Sequence, residues 1–340
     1  MILVTGGTGL VGSHLLFKLI SEGENVRAIY RRKHKLEEVK KVFAYFSDNP
    51  NAIYNAIDWV EADITDIPAM ESAFVSINLV YHCAALVSFE PDKYNILKKI
   101  NIEGTANVVN LCLTYHVKKL CYVSSIAALG APKPSELFID ESTQWNKELD
   151  NSVYAITKYG AEIEVWRGVQ EGLNAVIVNP GIIIGAGFWN AGGSGSLFKQ
   201  VCKGMSHYTT GTTGFVDIWD VINAMTLLMK SDITNEKFVL VSENLTFKKF
   251  FTDVANQINV ASPKKEAKQW LLSLAWRLDW LRSKLLGKRR KLSKQMAKSA
   301  VSKTRFSSDK IKTQLEFEFK PMEVSIAETA KLFRQDFDEN

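Results

Sequence analysis

Eight residues near the N-terminus, Thr5-Gly6-Gly7-Thr8-Gly9-Leu10-Val11-Gly12, limit the fold more than any other stretch of this chain. They follow directly on the apolar run Ile2-Leu3-Val4 and open a helical pattern from Val11 to Glu22 that stops at Gly23. An ordinary glycine turn needs no such agreement of strand, loop and helix. Glycines at 6, 9 and 12 allow a tight turn, a close approach of backbone to a pyrophosphate and close packing of helix on strand. The helix N-terminus adds free N–H groups and the positive end of its dipole. Gly6, Thr8, Gly9, Leu10, Val11 and Gly12 are therefore candidate contacts to a dinucleotide.

The remaining chain alternates short β-branched runs with longer helical patterns, the sequence form of a parallel sheet covered on both faces. Strands are expected at Ile2–Thr5, Asn25–Tyr30, Asp58–Ala62, Leu79–Ala84, Lys119–Ser124, Ala175–Asn179 and Lys237–Val241, with a helical stretch from Tyr94 to Tyr115. The expected fold class is α/β, a doubly wound parallel sheet of about seven strands. After Pro180 the alternation weakens: Gly181–Gly195 reads as a glycine-rich loop, and Phe215–Met229 as a short strand and then a helix. This places a cofactor domain at 1–180 plus 215–243. A smaller, mainly helical substrate lobe is expected at 181–214 plus 244–340.

With 340 residues, 46% of them hydrophobic, the chain can bury a sizeable core. Its four cysteines, Cys83, Cys112, Cys121 and Cys202, show no paired metal spacing, and no metal is expected. The first residues read as a strand rather than a signal peptide, and no run reaches the ~18 apolar residues that span a bilayer. A reduced, cytoplasmic setting is expected, soluble or peripheral to a membrane.

The second strand should end near Tyr30, where enzymes that use NAD place an acid for the ribose hydroxyls. Here the chain reads Tyr30-Arg31-Arg32-Lys33. A guanidinium fork suits a 2′-phosphate that an acid would repel, so Arg31 and Arg32 favour NADP(H) over NAD(H). Lys33 and Lys35 are expected to be solvated. After the third strand, Asp63-Ile64 is placed to hold an adenine amino group.

Tyr154-Ala155-Ile156-Thr157-Lys158 sets a phenol and an ammonium four residues apart on one helix face. A free phenol is a poor base at neutral pH, and a nearby cation would bring it closer to the operating range. Ser125, ending Tyr122-Val123-Ser124-Ser125, could hydrogen-bond a substrate oxygen, with Ser124 as the substitute. Hydride transfer would belong to the cofactor. His82, on a buried strand end beside Cys83, reads as a satisfied packing residue rather than a base or ligand.

Taken in order, the glycine loop, Asp63-Ile64, His82-Cys83-Ala84-Ala85, Asn101-Ile102-Glu103-Gly104-Thr105, the Tyr154/Lys158 pair and Asn179-Pro180-Gly181 resemble the extended short-chain dehydrogenases/reductases. The resemblance is nearest the dihydroflavonol-reductase and 3β-hydroxysteroid-dehydrogenase branch. It implies that Ala84 and Ala85 line the cofactor, that Asn101 supports the active site, and that the Pro180–Ile183 backbone, Pro180 and Ile183 included, meets the nicotinamide end. It also implies a Ser125, Tyr154, Lys158 catalytic set, Lys158 reaching the nicotinamide ribose hydroxyls as well. The family often dimerises through the helices at 94–115 and 152–172.

Within that family the 4,6-dehydratases carry an Asp-Glu pair after the catalytic Thr; Ser125 is followed by Ile126-Ala127-Ala128. Asn179-Pro180-Gly181-Ile182-Ile183-Ile184-Gly185 and Gly214-Phe215-Val216-Asp217-Ile218-Trp219-Asp220-Val221 look like the reductase side instead of the epimerases. The reading is an NADP(H)-dependent reductase of a ketone or aldehyde, or oxidant of the alcohol, on a moderately apolar small molecule. Phe188, Trp189, Phe198 and Tyr208 are expected near the cleft. A nucleotide-sugar epimerase of the same family and a non-enzymatic NADP-sensing scaffold are the alternatives.

Residues 264–312 hold sixteen Lys or Arg against three acids, about +13, which leaves the rest near −8 of the overall +5. From 264 to 290, Leu271, Leu274, Leu278, Leu281 and Leu285 recur at helical spacing with Trp270, Trp276 and Trp280 among them. Either this stripe packs on the substrate lobe with its cations in water, or it lies on an anionic membrane surface. Nucleic acid is not expected, because no recognition motif accompanies the charge.

Overall fold

The computed structural model describes residues 1–131, 137–190, 193, 195–287, 290 and 292–338. Ala191, Gly192 and Ser194 of the expected glycine-rich loop lie outside the described residues. So do Lys288, Arg289 and Lys291 of the basic segment and 339–340 of the expected lobe.

Seven parallel strands form one sheet: β1 (Ile2–Thr5), β2 (Val26–Tyr30), β3 (Asp58–Glu61), β4 (Leu79–His82), β5 (Lys119–Val123), β6 (Ala175–Pro180) and a last strand, Glu236–Leu240. They lie in the order β3-β2-β1-β4-β5-β6, with the last strand outside β6. The register sets Thr5 beside His82, and Val123 beside Val178. Chain order reverses between β1 and β4, and it is at such a switch point that the loops leaving the strands' carboxyl ends part to form a crevice.

β-branched runs form these strands because helices cover both faces. Leu3 and Val4 are fully buried, and no residue of β5 or β6 is exposed. On one face pack the helices Leu10–Ser21 and Ile218–Lys230, through Leu15, Leu19, Val221 and Met225. On the other pack Gly104–Thr114 and Val153–Gln170, through Val108, Cys112, Ala161 and Val165. Each Leu, Val or Met among them, fully removed from water, contributes about 1.5–3 kcal/mol. The stretch expected to be helical from Tyr94 to Tyr115 is so to Thr114, but six residues, Lys98–Glu103, wind as a π-turn. A π-turn inserted in a helix often marks a functional position, and Asn101 sits in this one.

The smaller lobe departs from expectation in three places. Ile182–Ile184, within the expected loop, is a strand that pairs in parallel with Phe215–Asp217, while Glu243–Thr246 runs antiparallel to Thr212–Phe215. Three consecutive isoleucines favour the pleated surface over a loop. Phe188, Trp189 and Phe198 are buried, the last two in a lobe core with Phe215, Phe250 and Phe333, and Tyr208 lies under Lys248. None of the first three is free to meet a substrate. Finally, the stripe-bearing helix spans Gln269–Leu286 and ends at left-handed Gly287, but not one of its residues is buried. It does not seal against the lobe.

Candidate active site

The phosphate loop is built by close approach. Gly6 has φ +70°, and a Cβ there would lie 2.6 Å from the Ala84 nitrogen, because the loops after β1 and β4 touch. A Cβ on Gly12 would fall 2.2 Å from the Gly6 carbonyl oxygen. Gly9 differs: its Cβ would meet only that oxygen, at an ordinary 3.5 Å. The surrounding chain does not itself exclude a side chain there, so a need for glycine at this position would come from a bound dinucleotide. Gly9 is also the N-cap of helix Leu10–Ser21 and gives it no side-chain hydrogen bond. The first-turn N–H groups therefore have no side-chain cap from Gly9, and such groups at a helix start can receive a pyrophosphate. Thr8, Leu10 and Val11 are half-buried around this opening.

At the end of β2, Arg31 donates to Asp63 at 3.2 Å, so the residue expected at the 2′-phosphate touches the one expected at the adenine. Against a desolvation that raises it, hydrogen bonds from the Thr65 backbone and hydroxyl and from Arg31 hold the Asp63 carboxyl below its usual range. Arg31 is half exposed and Arg32 exposed, and a surface pair of this kind contributes only about 0–1 kcal/mol. It can re-partner readily. Ile64 is buried behind Asp63, its carbonyl held by the Asn107 amide at 3.0 Å.

His82 is fully buried. Thr105 gives its hydroxyl proton to the Asn101 carbonyl (2.6 Å), so it accepts from His82 Nε2 (3.0 Å), and Nδ1 accepts from Thr5 (2.6 Å). Burial, with the charge of Lys158, pushes the imidazole down to about 3. This histidine is a neutral brace between β1, β4 and the helix behind them.

Asn101, nearly inaccessible, holds the backbone of Leu86 from both sides, its Oδ1 accepting from the N–H (2.8 Å) and its Nδ2 donating to the carbonyl (3.0 Å). Nδ2 also donates to Thr157 (3.1 Å), which in turn donates to the Tyr154 carbonyl (3.0 Å). One side chain thus ties the loop carrying half-buried Ala84 and exposed Ala85 to the helix carrying Tyr154 and Lys158.

The two serines separate by their partners. Ser124 is buried and donates to Glu162 (2.5 Å). Ser125 accepts from the Ala127 N–H (3.1 Å) at the start of a short helical turn, which leaves its own hydroxyl proton to give. Its carbonyl accepts from Asn179 (3.0 Å), whose Nδ2 also reaches Glu162 (2.6 Å). Glu162 escapes a sequence reading that stops at Lys158, although its i+4 spacing, one further turn along the same face, is a usable signal.

The phenol and ammonium do not share charge as their spacing suggested. Burial pushes Tyr154 up to about 12, opposed by hydrogen bonding with Ser125, and Phe89 packs edge-on against its ring at 5.4 Å. Lys158 Nζ instead donates to the Val123 carbonyl (2.7 Å) and the Tyr122 hydroxyl (3.1 Å). Burial pulls the ammonium down to about 8, with the Glu162 carboxylate working against the fall. The expected lowering of the phenol by the lysine is absent, because the ammonium is solvated by strand β5.

Gly6, Arg31, Asp63, Ala84, Ser125 and Pro180 all follow or end a strand at its carboxyl edge, and Tyr154 and Lys158 are bound to the same rim by Asn101 and β5. Ile183 lies half-buried just past Pro180. The arrangement suits a two-part ligand laid across that rim, its phosphates at Gly9 and its reactive end near Ser125 and Tyr154.

Comparison with known proteins agrees with this geometry. Residues 2–240 match the NAD dependent epimerase/dehydratase family. A Synechocystis sp. protein that carries a dihydroflavonol 4-reductase name is 28% identical over 280 residues, 80% of this chain and 77% of its own. Sterol demethylase protein B of Methylococcus capsulatus is 26% identical over 245 residues, 72% and 70% of the two chains. The crystal structure of gox2253 superposes with a TM-score of 0.80 at 25% identity, over 99% of this chain and 98% of that one. The chain belongs to the NAD dependent epimerase/dehydratase family and is an NAD(P)-dependent oxidoreductase of the extended short-chain dehydrogenase/reductase type.

Proposed function

We propose that this enzyme interconverts a ketone or aldehyde and its alcohol on a moderately apolar small molecule with NADP(H). The observation that carries the reading is the convergence of Ser125, Tyr154 and Lys158 on the rim that also holds the phosphate loop. The hydride would come from, or return to, the nicotinamide of the cofactor when it is bound. In the reducing direction the Ser125 hydroxyl, which hydrogen-bonds with Tyr154 in the resting site, would turn to the carbonyl oxygen, and Tyr154 would pass its phenolic proton to that oxygen as the hydride adds to carbon. C=O becomes CH–OH with one hydride and one proton consumed. Lys158, if drawn from the Val123 carbonyl toward the ribose hydroxyls, would hold a positive charge beside the phenolate left behind. Ser124, engaged by Glu162, is poorly placed to substitute for Ser125.

NADP(H) preference rests on the exposed guanidinium groups of Arg31 and Arg32. Apolar substrate character no longer draws on Phe188, Trp189 or Phe198. It rests on the kinship with a protein named for sterol demethylation and one named for dihydroflavonol reduction. Exposed Ile96, Ile156 and Ile163, on the outer faces of the helices at 94–114 and 153–170, support pairing of two copies there. The decisive experiment offers aldehydes, ketones and sterols with NADPH to the wild type and to Tyr154→Phe. The variant should bind NADPH normally and lose about a hundredfold or more in turnover. Turnover equal to wild type would end the mechanism.

A further inference from the structure

Helix Gln269–Leu286 inverts the usual order of a globular surface. Among the described residues, seven of the twenty-two exposed large apolar side chains belong to these 18 residues. Trp270, Leu274, Leu278, Leu281 and Leu285, spaced four, four, three and four, form one stripe, each 45–72% exposed. The half-buried residues, among them Leu272, Trp276, Asp279 and Ser283, occupy the opposite face, where Asp279 receives the Leu292 N–H at 2.9 Å. The apolar face of the helix therefore points away from the protein along about 27 Å.

Cations border this stripe. Arg277 lies over the Trp276 ring at 4.8 Å and Lys284 over Trp280 at 5.2 Å, and the segment as a whole carries about +13. Short strand pairing of Lys265–Glu266 with His207–Tyr208 fixes the start of the segment to the lobe. Beyond the helix, Lys298 reaches Asp150 at 3.4 Å, four residues before Tyr154. The segment that carries the helix thus touches the protein before it, through the short strand pair, and beyond it, through Lys298.

We propose that this helix lies flat on an anionic lipid bilayer, its Trp270 to Leu285 stripe in the boundary between headgroups and acyl chains and its flanking cations on lipid phosphates. Tryptophan and Lys/Arg with leucine on one face is the composition that this boundary favours. A second copy of the chain fits poorly, since face-to-face pairing would bring two strongly positive segments together. A nucleic acid would leave the leucine stripe in water. This docking stands apart from the catalytic reading.

The test is co-sedimentation of the full chain with phosphatidylcholine vesicles, with and without about one-third phosphatidylglycerol, at low and high salt. Wild type should bind the anionic vesicles at low salt, at least about tenfold more strongly than neutral ones, and lose most of that binding at high salt. Leu274→Glu with Leu281→Glu, both at exposed sites, should keep the thermal melt and abolish sedimentation. NADPH turnover of a water-soluble carbonyl should be unchanged in that variant, so a failure here is separable from a failure of the catalytic assignment. No binding to anionic vesicles at low salt, or binding that survives both substitutions, overturns the proposal. A vesicle-inert dimer that the substitutions dissociate, or preferential capture of a nucleic-acid duplex, overturns it equally.

Discussion

Glu162→Gln separates the electrostatic role of the buried network from its packing. Glu162 is the acid nearest in sequence to Lys158 on the same helix face, and its carboxylate opposes the fall of the ammonium toward about 8. At i,i+4 spacing, about 6 Å, and an effective dielectric near 20, one charge pair is worth about 2–3 kcal/mol, or about one to two pKa units. The amide should therefore move Lys158 to about 6–7 and cut its protonated fraction at pH 7.5 from about three-quarters to about one-tenth. NADPH affinity, read by nucleotide fluorescence across the pH range, should lose its basic limb about one unit or more earlier. The melting temperature should change little, because Gln keeps an acceptor for Ser124 and Asn179. Burial also raises the Glu162 carboxyl, so its contribution to stability falls as pH rises through the carboxylate range, and the amide escapes that loss. Superimposable binding profiles would refute the coupling, and a collapsed melt would reduce Glu162 to a packing residue.

Gly9→Ala should leave the melting temperature nearly intact and weaken NADPH at least about tenfold, whereas Gly12→Ala, whose Cβ would strike the Gly6 carbonyl, should destabilise the fold itself; equal effects from the two would contradict the assignment of Gly9 to the ligand. Arg31→Ala with Arg32→Ala should lower the NADPH-over-NADH preference about tenfold or more while shifting stability by less than about 1 kcal/mol, as competition titrations and melts can show. Burial lowers His82 to about 3 and His14 to about 4. Both are neutral when folded, so their contribution is present above the unfolded value near 6.5 and is lost as pH falls below it. Between pH 7 and 5 the two should together remove about 4 kcal/mol, seen as a falling melting temperature, and a flat profile would argue against buried neutral rings.

The parallel sheet was legible because strands buried on both faces read as near-continuous apolar runs, as Ile2-Leu3-Val4, Leu120-Cys121-Tyr122-Val123 and Ala175-Val176-Ile177-Val178 do. The phosphate loop was legible for a related reason: Gly6 and Gly12 have no sterically allowed substitute. Legibility failed wherever the answer depended on which side of an amphipathic element meets the protein. Trp189 and Phe198 are as apolar in a lobe core as in a cleft, and only the surrounding Phe250 and Phe333 decide. The leucine stripe of Gln269–Leu286 has the spacing of a core-facing helix, and spacing carries no sign for inward or outward. Glu162 was missed although its four-residue spacing from Lys158 was a signal, and Ser124 was left open because a buried hydrogen bond to a residue 38 positions away leaves no local trace.

The Tyr154/Lys158 pair shows how burial can reverse a motif's electrostatics. Four-residue spacing implies a cation that stabilises phenolate, but burial of both groups favours the neutral form of each. The phenol is driven up to about 12 and the ammonium down to about 8. Val123 and Tyr122 then solvate the ammonium more closely than the phenol does. In this state Tyr154 keeps its proton throughout the physiological range, which is the form a reductase needs when it must protonate a nascent alkoxide. Alcohol oxidation would start from phenolate, and that requires Lys158 to leave the Val123 carbonyl and bring its charge toward Tyr154. The protonated resting form of Tyr154 is the one from which the proposed carbonyl reduction would start. The Val123 carbonyl and the Tyr122 hydroxyl together hold the lysine, and both contacts must loosen before its charge can approach Tyr154.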